Sequence, residues 1–265
     1  MFHERSWLPK LLALNVAVFL ILFIVRLISQ FTNNHTLYYT LYSLLSMPAD
    51  LSEFIRKPWT IVTYSFVHTG FFHLLFNMIG LYWFGKIVEL FLMYRYTLRL
   101  YIIGAIAGGL AFLLAYNFLP ALNKHSMLVG ASASVMAFLL AATTISPRYP
   151  LYLFLLGRVE LRFVALAFVV LDILFLGFSN TGGHIAHLGG ALSGFLFVKW
   201  IRRRPRKPSV SFRIKKKKKP SRTPMDTEID RILDKIRKEG LNSLTDEERK
   251  LLDEYSRRIS GKNKR

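Results

Sequence analysis

Six apolar stretches, each long enough to cross a lipid bilayer, limit the folds open to this chain more than any other feature. A helix needs about 20 mostly apolar residues to cross a hydrocarbon core about 30 Å thick. The stretches that meet this requirement are roughly 8–29, 69–93, 97–118, 126–146, 161–179 and 184–201. The first is long and is not followed by a small-residue cleavage site, so we interpret it as a retained span rather than a signal peptide. The sequence therefore predicts an all-α membrane protein with six transmembrane helices.

The charged residues divide the chain into an apolar body and a basic tail. The 265 residues carry 36 Lys and Arg against 16 Asp and Glu, a net charge of +20, yet only 12 of the basic residues precede residue 199. Short cytoplasmic loops of membrane proteins are enriched in Lys and Arg. The cations in the loops after the second and fourth stretches are Arg95, Arg99, Arg148, Arg158 and Arg162. These loops share one side with the tail and with Arg5 and Lys10, so both termini are predicted to be cytoplasmic.

Three segments of different composition define the predicted domain organisation. Residues 1–201 form the six-span body, residues 202–224 a Pro-containing basic linker, and residues 225–265 a short cytoplasmic helical hairpin. The linker run Lys215–Lys219 is expected to bind anionic lipid headgroups, at about 1 kcal/mol per basic residue near the surface. The run lacks interleaved aromatic residues and is tethered to a membrane, so no nucleic-acid partner is predicted.

The predicted hairpin consists of two amphipathic helices. Thr245 and Glu248 have the spacing of a capping box at the start of the second helix. The hairpin is small, so its apolar face is expected to seek a partner or the membrane.

Polar side chains inside the apolar stretches are the candidate functional residues, because strongly polar groups are costly in a bilayer. The second stretch carries His73 and Asn77, four residues apart and so on one helical face. The fourth carries Ser132 and the sixth carries His187. In the predicted topology, each group lies within about two turns of the outer end of its helix. A Ser and a His in one such layer can act as nucleophile and base, and His73 and Asn77 could bind a developing oxyanion.

Small residues in the fourth and sixth stretches support this meeting of Ser132 and His187. Gly190 and Gly194 are four apart, and so are Ala133, Ala137 and Ala141. Small residues at this spacing let two helix backbones approach closely.

Several short motifs occur in a fixed order along residues 55–200. They are Pro58-Trp59-Thr60, His68 with His73-x-x-x-Asn77, Gly85-x-x-x-Glu89, Gly130-Ala131-Ser132-Ala133 and Ala186-His187-Leu188-Gly189-Gly190. On these motifs the sequence resembles the rhomboid intramembrane serine proteases, in particular their compact six-span bacterial type.

The resemblance implies a fold, an activity and a set of site residues. It implies a rhomboid-like six-helix bundle with a catalytic dyad that requires no carboxylate. Ser132 would be the nucleophile and His187 the general base. The oxyanion hole would consist of the Ser132 backbone N–H with the side chains of His73 and Asn77.

The sequence departs from the family pattern at two positions. Ala133 stands where the family usually has Gly, and its methyl group either crowds the loop or extends the small-residue stripe. Met136 stands where an aromatic residue usually stacks on the catalytic His. A thioether can also contact the edge of a ring favourably. Neither change removes a group that transfers protons.

Other polar residues in the stretches have alternative interpretations. Ser134 is a competing nucleophile, but it points about 160° away from Ser132 on a helix. His68 and His184 lie nearer the interface and are interpreted as structural or water-organising. Asp172 could orient His187, but it is predicted to lie deeper in the membrane, so a hydrogen bond between helices is favoured. His184 and His187 are three apart, yet no nearby Asp, Glu or Cys completes a zinc site, so no metal is predicted.

The sequence-based hypothesis is a serine endopeptidase that cleaves single-span membrane proteins near the outer face through an acyl-enzyme. No cofactor is predicted, and the expected location is the bacterial inner membrane. The alternative is an inactive rhomboid-like protein that binds or escorts transmembrane helices. The sequence leaves the natural substrate, the oligomeric state and the role of the hairpin open.

Overall fold

The computed structural model describes residues 6–119, 121–122, 125–153, 157–178, 180–203 and 224–262. The chain divides into two compact units, Met1–Pro205 and Arg206–Arg265. Most of the predicted linker, residues 204–223, lies outside the described residues, as do residues 154–156.

The first unit is predominantly helical. Its helices, in chain order, are α1 (Leu8–Phe31), α2 (Thr36–Leu45), α3 (Leu51–Arg56), α4 (Thr60–Thr63), α5 (Phe71–Phe91), α6 (Thr97–Phe118), α7 (Ser132–Ile145), α8 (Leu161–Leu174) and α9 (Thr181–Arg203). Single 3₁₀ turns cover Tyr64–Phe66, Tyr94–Tyr96 and Phe175–Gly177.

Three of the described helices are long and apolar enough to cross a membrane. They are α1, α5 and α6, the last together with the turn that begins at Tyr94. Large apolar side chains such as Ile21, Ile24 and Ile28 lie exposed on α1. Outward-facing apolar side chains on a helix of this length are typical of contact with lipid rather than water. Helix α7 is a shorter apolar helix of 14 residues.

Two short antiparallel pairings modify the all-α prediction. Strand β1 (Met47–Pro48) pairs with β2 (Met127–Leu128), and β3 (Pro150–Leu153) pairs with β4 (Gly157–Glu160). The first pairing is why α7 begins six residues later than the predicted span 126–146. Hydropathy cannot distinguish a buried apolar strand from the beginning of an apolar helix.

Helices α6, α7 and α9 pack closely through small residues. A β-carbon on Gly194 of α9 would lie 2.0 Å from the Ala137 carbonyl oxygen of α7. A β-carbon on Gly104 of α6 would lie 2.7 Å from the Ala137 methyl group. The predicted close approach of the fourth and sixth stretches is therefore confirmed, and α6 forms the third side of this contact.

Hydrogen bonds to Glu89 connect the ends of three helices. Its Oε1 accepts hydrogen bonds of 2.7 Å from the hydroxyls of Ser6, just before α1, and Thr97, at the start of α6. One turn earlier on α5, Gly85 faces Leu8 so closely that a β-carbon there would lie 2.7 Å from a Leu8 methyl group. Glu89 therefore joins the end of α5 to the beginnings of α1 and α6.

The second unit contains helices α10 (Pro224–Glu239) and α11 (Asp246–Lys262). The predicted capping box is present, with the Thr245 N–H donating to Glu248 Oε2 at 2.9 Å and the Glu248 N–H donating to Thr245 Oγ1 at 3.3 Å. Ile229, Ile232 and Leu244 are buried together. The hairpin therefore buries part of its apolar surface within itself, whereas Leu233 and Leu241 are exposed. That its apolar face seeks a partner or the membrane stays a prediction.

Candidate active site

The backbone before Ser132 turns sharply into α7. Gly130 has φ +112°, a conformation that residues with a β-carbon rarely adopt. Its N–H donates to the Tyr64 carbonyl at 2.9 Å, which fixes the turn. Ser132 follows as the first residue of α7 and is half-buried. In the described part of the chain no backbone carbonyl accepts from the Ser132 N–H, as is usual for the first turn of a helix.

The His187 side chain extends from the second turn of α9 and is half-buried. Its Nδ1 lies 2.8 Å from Oδ1 of Asp172, a buried residue in the last turn of α8. A carboxylate can only accept a hydrogen bond, so the neutral imidazole in this contact carries its proton on Nδ1. Its Nε2 then has a free lone pair.

Ser132 and His187 line one cavity of about 810 Å³ together with His73 and Asn77. The structure therefore brings all four predicted site residues to a single place. No hydrogen bond joins Ser132 to His187 among the described residues. Catalytic hydrogen bonds are often long before substrate binds and shorten in the substrate complex.

His73 and Asn77 lie on one face of α5, as their spacing predicts. The Nδ1 atom of His73 is 3.2 Å from the Thr69 hydroxyl, and the Asn77 amide donates to the His73 carbonyl at 2.7 Å. A β-carbon on Gly130 would lie 2.6 Å from His73 Nε2 and 3.8 Å from Ser132 Oγ. The His73 ring therefore lies against the Gly130 backbone, next to the serine.

A second, apolar groove of about 460 Å³ also reaches Ser132 and His187. Aromatic and aliphatic side chains of α5, α7 and α8 line it, among them Phe76, Trp83, Met136, Leu139 and Phe168. Met136, at the usually aromatic position, therefore lines the same groove as His187. The two catalytic candidates lie where this groove and the more polar cavity meet.

Ser134 lies outside this site, as helical geometry predicts. It is fully buried, and its hydroxyl donates to the Tyr101 carbonyl of α6 at 2.8 Å. A hydroxyl held in this way has no open space in which to attack a substrate. The preference for Ser132 as the candidate nucleophile is therefore supported.

His68 supports the loop before α7. The Ala131 N–H donates to its Nε2 at 3.5 Å, and its Nδ1 lies 3.3 Å from the Phe66 carbonyl. Both contacts are satisfied by one neutral form, protonated on Nδ1. These contacts support the structural interpretation of His68.

The prediction that Asp172 lies deeper than His187 is wrong. Asp172 Oδ1 is 2.8 Å from Nδ1 of both His184 and His187. The cause is the length of α8, which ends at Leu174 and not near residue 179. Residues 175–177 form a 3₁₀ turn, so Asp172 occupies the last helical turn, level with the beginning of α9.

The statement that no carboxylate lies near the two histidines is therefore also wrong. Ligand atoms of Asp172, His184 and His187 all lie within 4.8 Å of one another, and one carboxylate with two imidazoles is a common donor set for zinc. The nitrogens that would bind a metal instead contact Asp172 directly at 2.8 Å, a hydrogen-bond distance. These contacts join the three side chains into one hydrogen-bonded group through Asp172 Oδ1.

Comparison with known proteins gives two family matches. Residues 56–204, more than half of the chain, match the Rhomboid domain, and residues 214–258 match a family of unknown function (DUF6576). The first match includes every predicted site residue. The second covers most of the helical hairpin.

Three curated relatives match between 50% and 57% of the chain. RHOMBOID-like protein 12, mitochondrial, of Arabidopsis thaliana is 32% identical over 145 residues, which are 43% of its length. Rhomboid-like protein 17, chloroplastic, of the same plant is 31% identical over 162 residues, 49% of its length. Presenilin-associated rhomboid-like protein A, mitochondrial, of Danio rerio is 32% identical over 159 residues, 40% of its length. The chain thus spans less than half the length of each.

Proposed function

This chain belongs to the rhomboid family of membrane proteins, and from that premise we propose that it is an intramembrane serine endopeptidase. The observation that carries the proposal is the shared cavity of Ser132, His187, His73 and Asn77. A hydroxyl, an imidazole with a free nitrogen and potential oxyanion donors are the groups that acyl transfer requires.

The proposed reaction proceeds through an acyl-enzyme. Ser132 Oγ attacks the scissile carbonyl carbon while His187 Nε2 takes the hydroxyl proton. The Ser132 N–H, His73 and Asn77 stabilise the oxyanion. The C–N bond then breaks as His187 gives its proton to the leaving amine. His187 Nε2 then takes a proton from water, whose oxygen attacks the ester carbon. The bond between this carbon and Ser132 Oγ breaks, Oγ regains the proton from His187, and the new carboxylic acid leaves and ionises in water.

The apolar groove between α5 and α8 supports a membrane-embedded substrate. Its lining is almost entirely hydrocarbon, yet it reaches Ser132 and His187. We infer that it accepts a transmembrane segment of a single-span protein. A helix conceals its carbonyl groups in hydrogen bonds, so the substrate must unwind locally before attack.

The remaining topology is part of the same proposal. We propose that α7, α8 and α9 complete six spans with α1, α5 and α6, that both termini are cytoplasmic, and that the site faces the outer side of a bacterial inner membrane. The support is the distribution of loop cations such as Arg95, Arg148 and Arg162. The basic linker would then contact anionic headgroups.

The second candidate function is helix binding without catalysis. The groove would serve this function equally well, and the structure contains no Ser132–His187 hydrogen bond among its described residues. The presence of Ser132 and His187 in one cavity favours the catalytic function over helix binding alone.

A fluorophosphonate probe applied to the full chain in lipid bilayers tests the proposal. Labelling should occur in the wild type and be lost in Ser132→Ala and His187→Ala. The matched control is Ser134→Ala, which removes a hydroxyl two residues away that is hydrogen-bonded to α6. The same four proteins are then compared for cleavage of a model single-span substrate. Labelling or cleavage that survives in Ser132→Ala would overturn the proposal, and helix binding without cleavage would support the second candidate.

A further inference from the structure

We propose that Asp172 is a positioning residue for His187. Its carboxylate keeps the imidazole proton on Nδ1, so that Nε2 remains available to accept the Ser132 hydroxyl proton. The inference rests on the proposed protease function and goes beyond it, because it adds a carboxylate to a dyad that requires none.

The geometry of the contact supports this role. Asp172 Oδ1 lies 2.8 Å from His187 Nδ1, within the range of a charge-assisted hydrogen bond. The Asp172 side chain is only 6% exposed, so water competes little for the carboxylate. Of the two ring nitrogens, Asp172 therefore engages the one that the reaction does not use.

The same carboxylate oxygen also contacts His184 Nδ1 at 2.8 Å. The other oxygen, Oδ2, is buried and has no hydrogen-bond partner among the described residues. A bond that only held α8 against α9 would be supplied equally well by either histidine. His184 therefore offers a matched control, since removing it breaks an equivalent bond and leaves the contact between Asp172 and His187.

The carboxylate has a second effect during the reaction. When His187 Nε2 takes the serine proton, the imidazole becomes a cation with protons on both nitrogens. The anionic Asp172, in direct contact with Nδ1, stabilises this cation until Nε2 gives the proton to the leaving amine.

Two measurements on the full chain in bilayers test the inference. Nitrogen-15 NMR of labelled histidines reports which nitrogen of His187 is protonated, with the resonance assigned by its loss in His187→Ala. Cleavage kinetics of a model single-span substrate give kcat and KM for the wild type, Asp172→Asn and His184→Gln. The first measurement needs no protease activity.

We expect His187 to be protonated on Nδ1 in the wild type and to gain Nε2-protonated population in Asp172→Asn. We expect Asp172→Asn to lower kcat at least tenfold with KM changed less than twofold, because proton transfer to a positioned base contributes about 10²–10⁴-fold. His184→Gln should lower kcat less than threefold. A merely structural Asp172 would not produce this separation of kcat from KM.

Other results would overturn the inference. They are a wild-type His187 protonated on Nε2, an Asp172→Asn variant with unchanged kcat, and an equal loss of kcat in His184→Gln. If Asp172→Asn does not fold, the inference is still tested by the wild-type tautomer of His187 and by the kcat of His184→Gln. If the wild type does not cleave at all, the proposed function fails, whereas the NMR result still shows whether Asp172 fixes the tautomer.

Discussion

A β-carbon on Gly190 would lie 2.0 Å from the carbonyl oxygen of Ala133. The backbones of α7 and α9 are therefore in direct contact at this point. Ser132 precedes Ala133 by one residue, and His187 precedes Gly190 by about one helical turn. This glycine thus sets the distance between the candidate nucleophile and the candidate base.

Gly190→Ala is expected to unfold the bundle partly or to separate α7 from α9. Overpacking usually costs about 1–3 kcal/mol, and the cost here should reach or exceed the top of that range because a backbone carbonyl cannot rotate away as a side chain can. Thermal unfolding in detergent and fluorophosphonate labelling provide the measurements, and both should fall.

Gly177→Ala is the control for this substitution. Gly177 lies in the 3₁₀ turn after α8, and nothing lies within 4 Å of the position of an added β-carbon. Its unfolding midpoint and labelling should match the wild type. A Gly190→Ala protein as stable as Gly177→Ala would mean that α7 and α9 do not touch here.

The Ala133 methyl group fills space that Gly108 leaves open. A β-carbon on Gly108 of α6 would lie only 2.4 Å from that methyl group, and Ala133 is 1% exposed. The surroundings of Ala133 therefore fit the second interpretation, in which its methyl group extends the small-residue stripe. The methyl group faces α6 at Gly108.

Ala133→Gly is therefore expected to lower stability and to leave catalysis intact. Loss of a buried methyl group costs about 0.8 kcal/mol, and Gly in a helix costs about 1 kcal/mol more than Ala. The free energy of unfolding should fall by about 2 kcal/mol while kcat stays within about twofold. An increase in kcat above this range would show that the methyl group hinders the reaction.

The sequence predicted the helix faces of the site better than the ends of its helices. The four-residue spacings of His73 with Asn77 and of Gly190 with Gly194 specify a face directly, because helical geometry is regular. The structure places each pair where the spacing predicted. No comparable signal marks the end of α8.

The end of α8 could not be read from composition. Residues 175–178 are Phe, Leu, Gly and Phe, so the apolar character continues past the last helical residue, Leu174. The hydrogen bond between Asp172 and His187 was missed for this reason. A Gly within a helical pattern is a weak sign of a helix end. For α8, Gly177 is the residue that gives this sign.

The Gly130 turn and the two strand pairings depend on contacts distant in sequence. Met127 faces Pro48, and the Gly130 N–H donates to Tyr64. Periodicity within a short window contains no information about such partners. Gly157, the first residue of β4, has φ +67°, a conformation that favours glycine.

Asn77→Ala is expected to lower kcat by about 10²-fold and to change KM little. Loss of one oxyanion donor typically costs about 10²–10³-fold in kcat, because that donor acts mainly on the transition state. Cleavage kinetics on a model single-span substrate provide the measurement.

Asn117→Ala is the matched control for Asn77→Ala. Asn117 also donates to the carbonyl four residues earlier, Leu113, at 2.8 Å, but it does not line the cavity. Asn117→Ala should lower the free energy of unfolding and leave kcat within about threefold of the wild-type value. An equal fall in both variants would attribute the Asn77 effect to helix packing rather than to the oxyanion.

The hydrogen bonds of Glu248 make the hairpin of α10 and α11 sensitive to acid. Lys235 Nζ donates to Glu248 Oε2 at 2.8 Å, and this bond, with the one from the Thr245 N–H, lowers the pKa of Glu248 below its usual value of 4.5. A carboxylate whose pKa is lower in the folded state stabilises that state fully above its unfolded pKa. The contribution is lost as the pH falls below 4.5 and through the folded pKa.

Glu248→Gln should remove this part of the pH dependence. Amide hydrogen exchange in the full chain should show that protection of the first turn of α11 falls below pH 4.5 in the wild type and changes less in the variant. At neutral pH the variant should be less protected, because the amide accepts more weakly from Lys235 than a carboxylate does. Glu254→Gln removes the same charge at an exposed position of α11 and should retain the wild-type profile. If Glu248→Gln and the wild type lost protection over the same pH range, the capping box would not be the group that titrates.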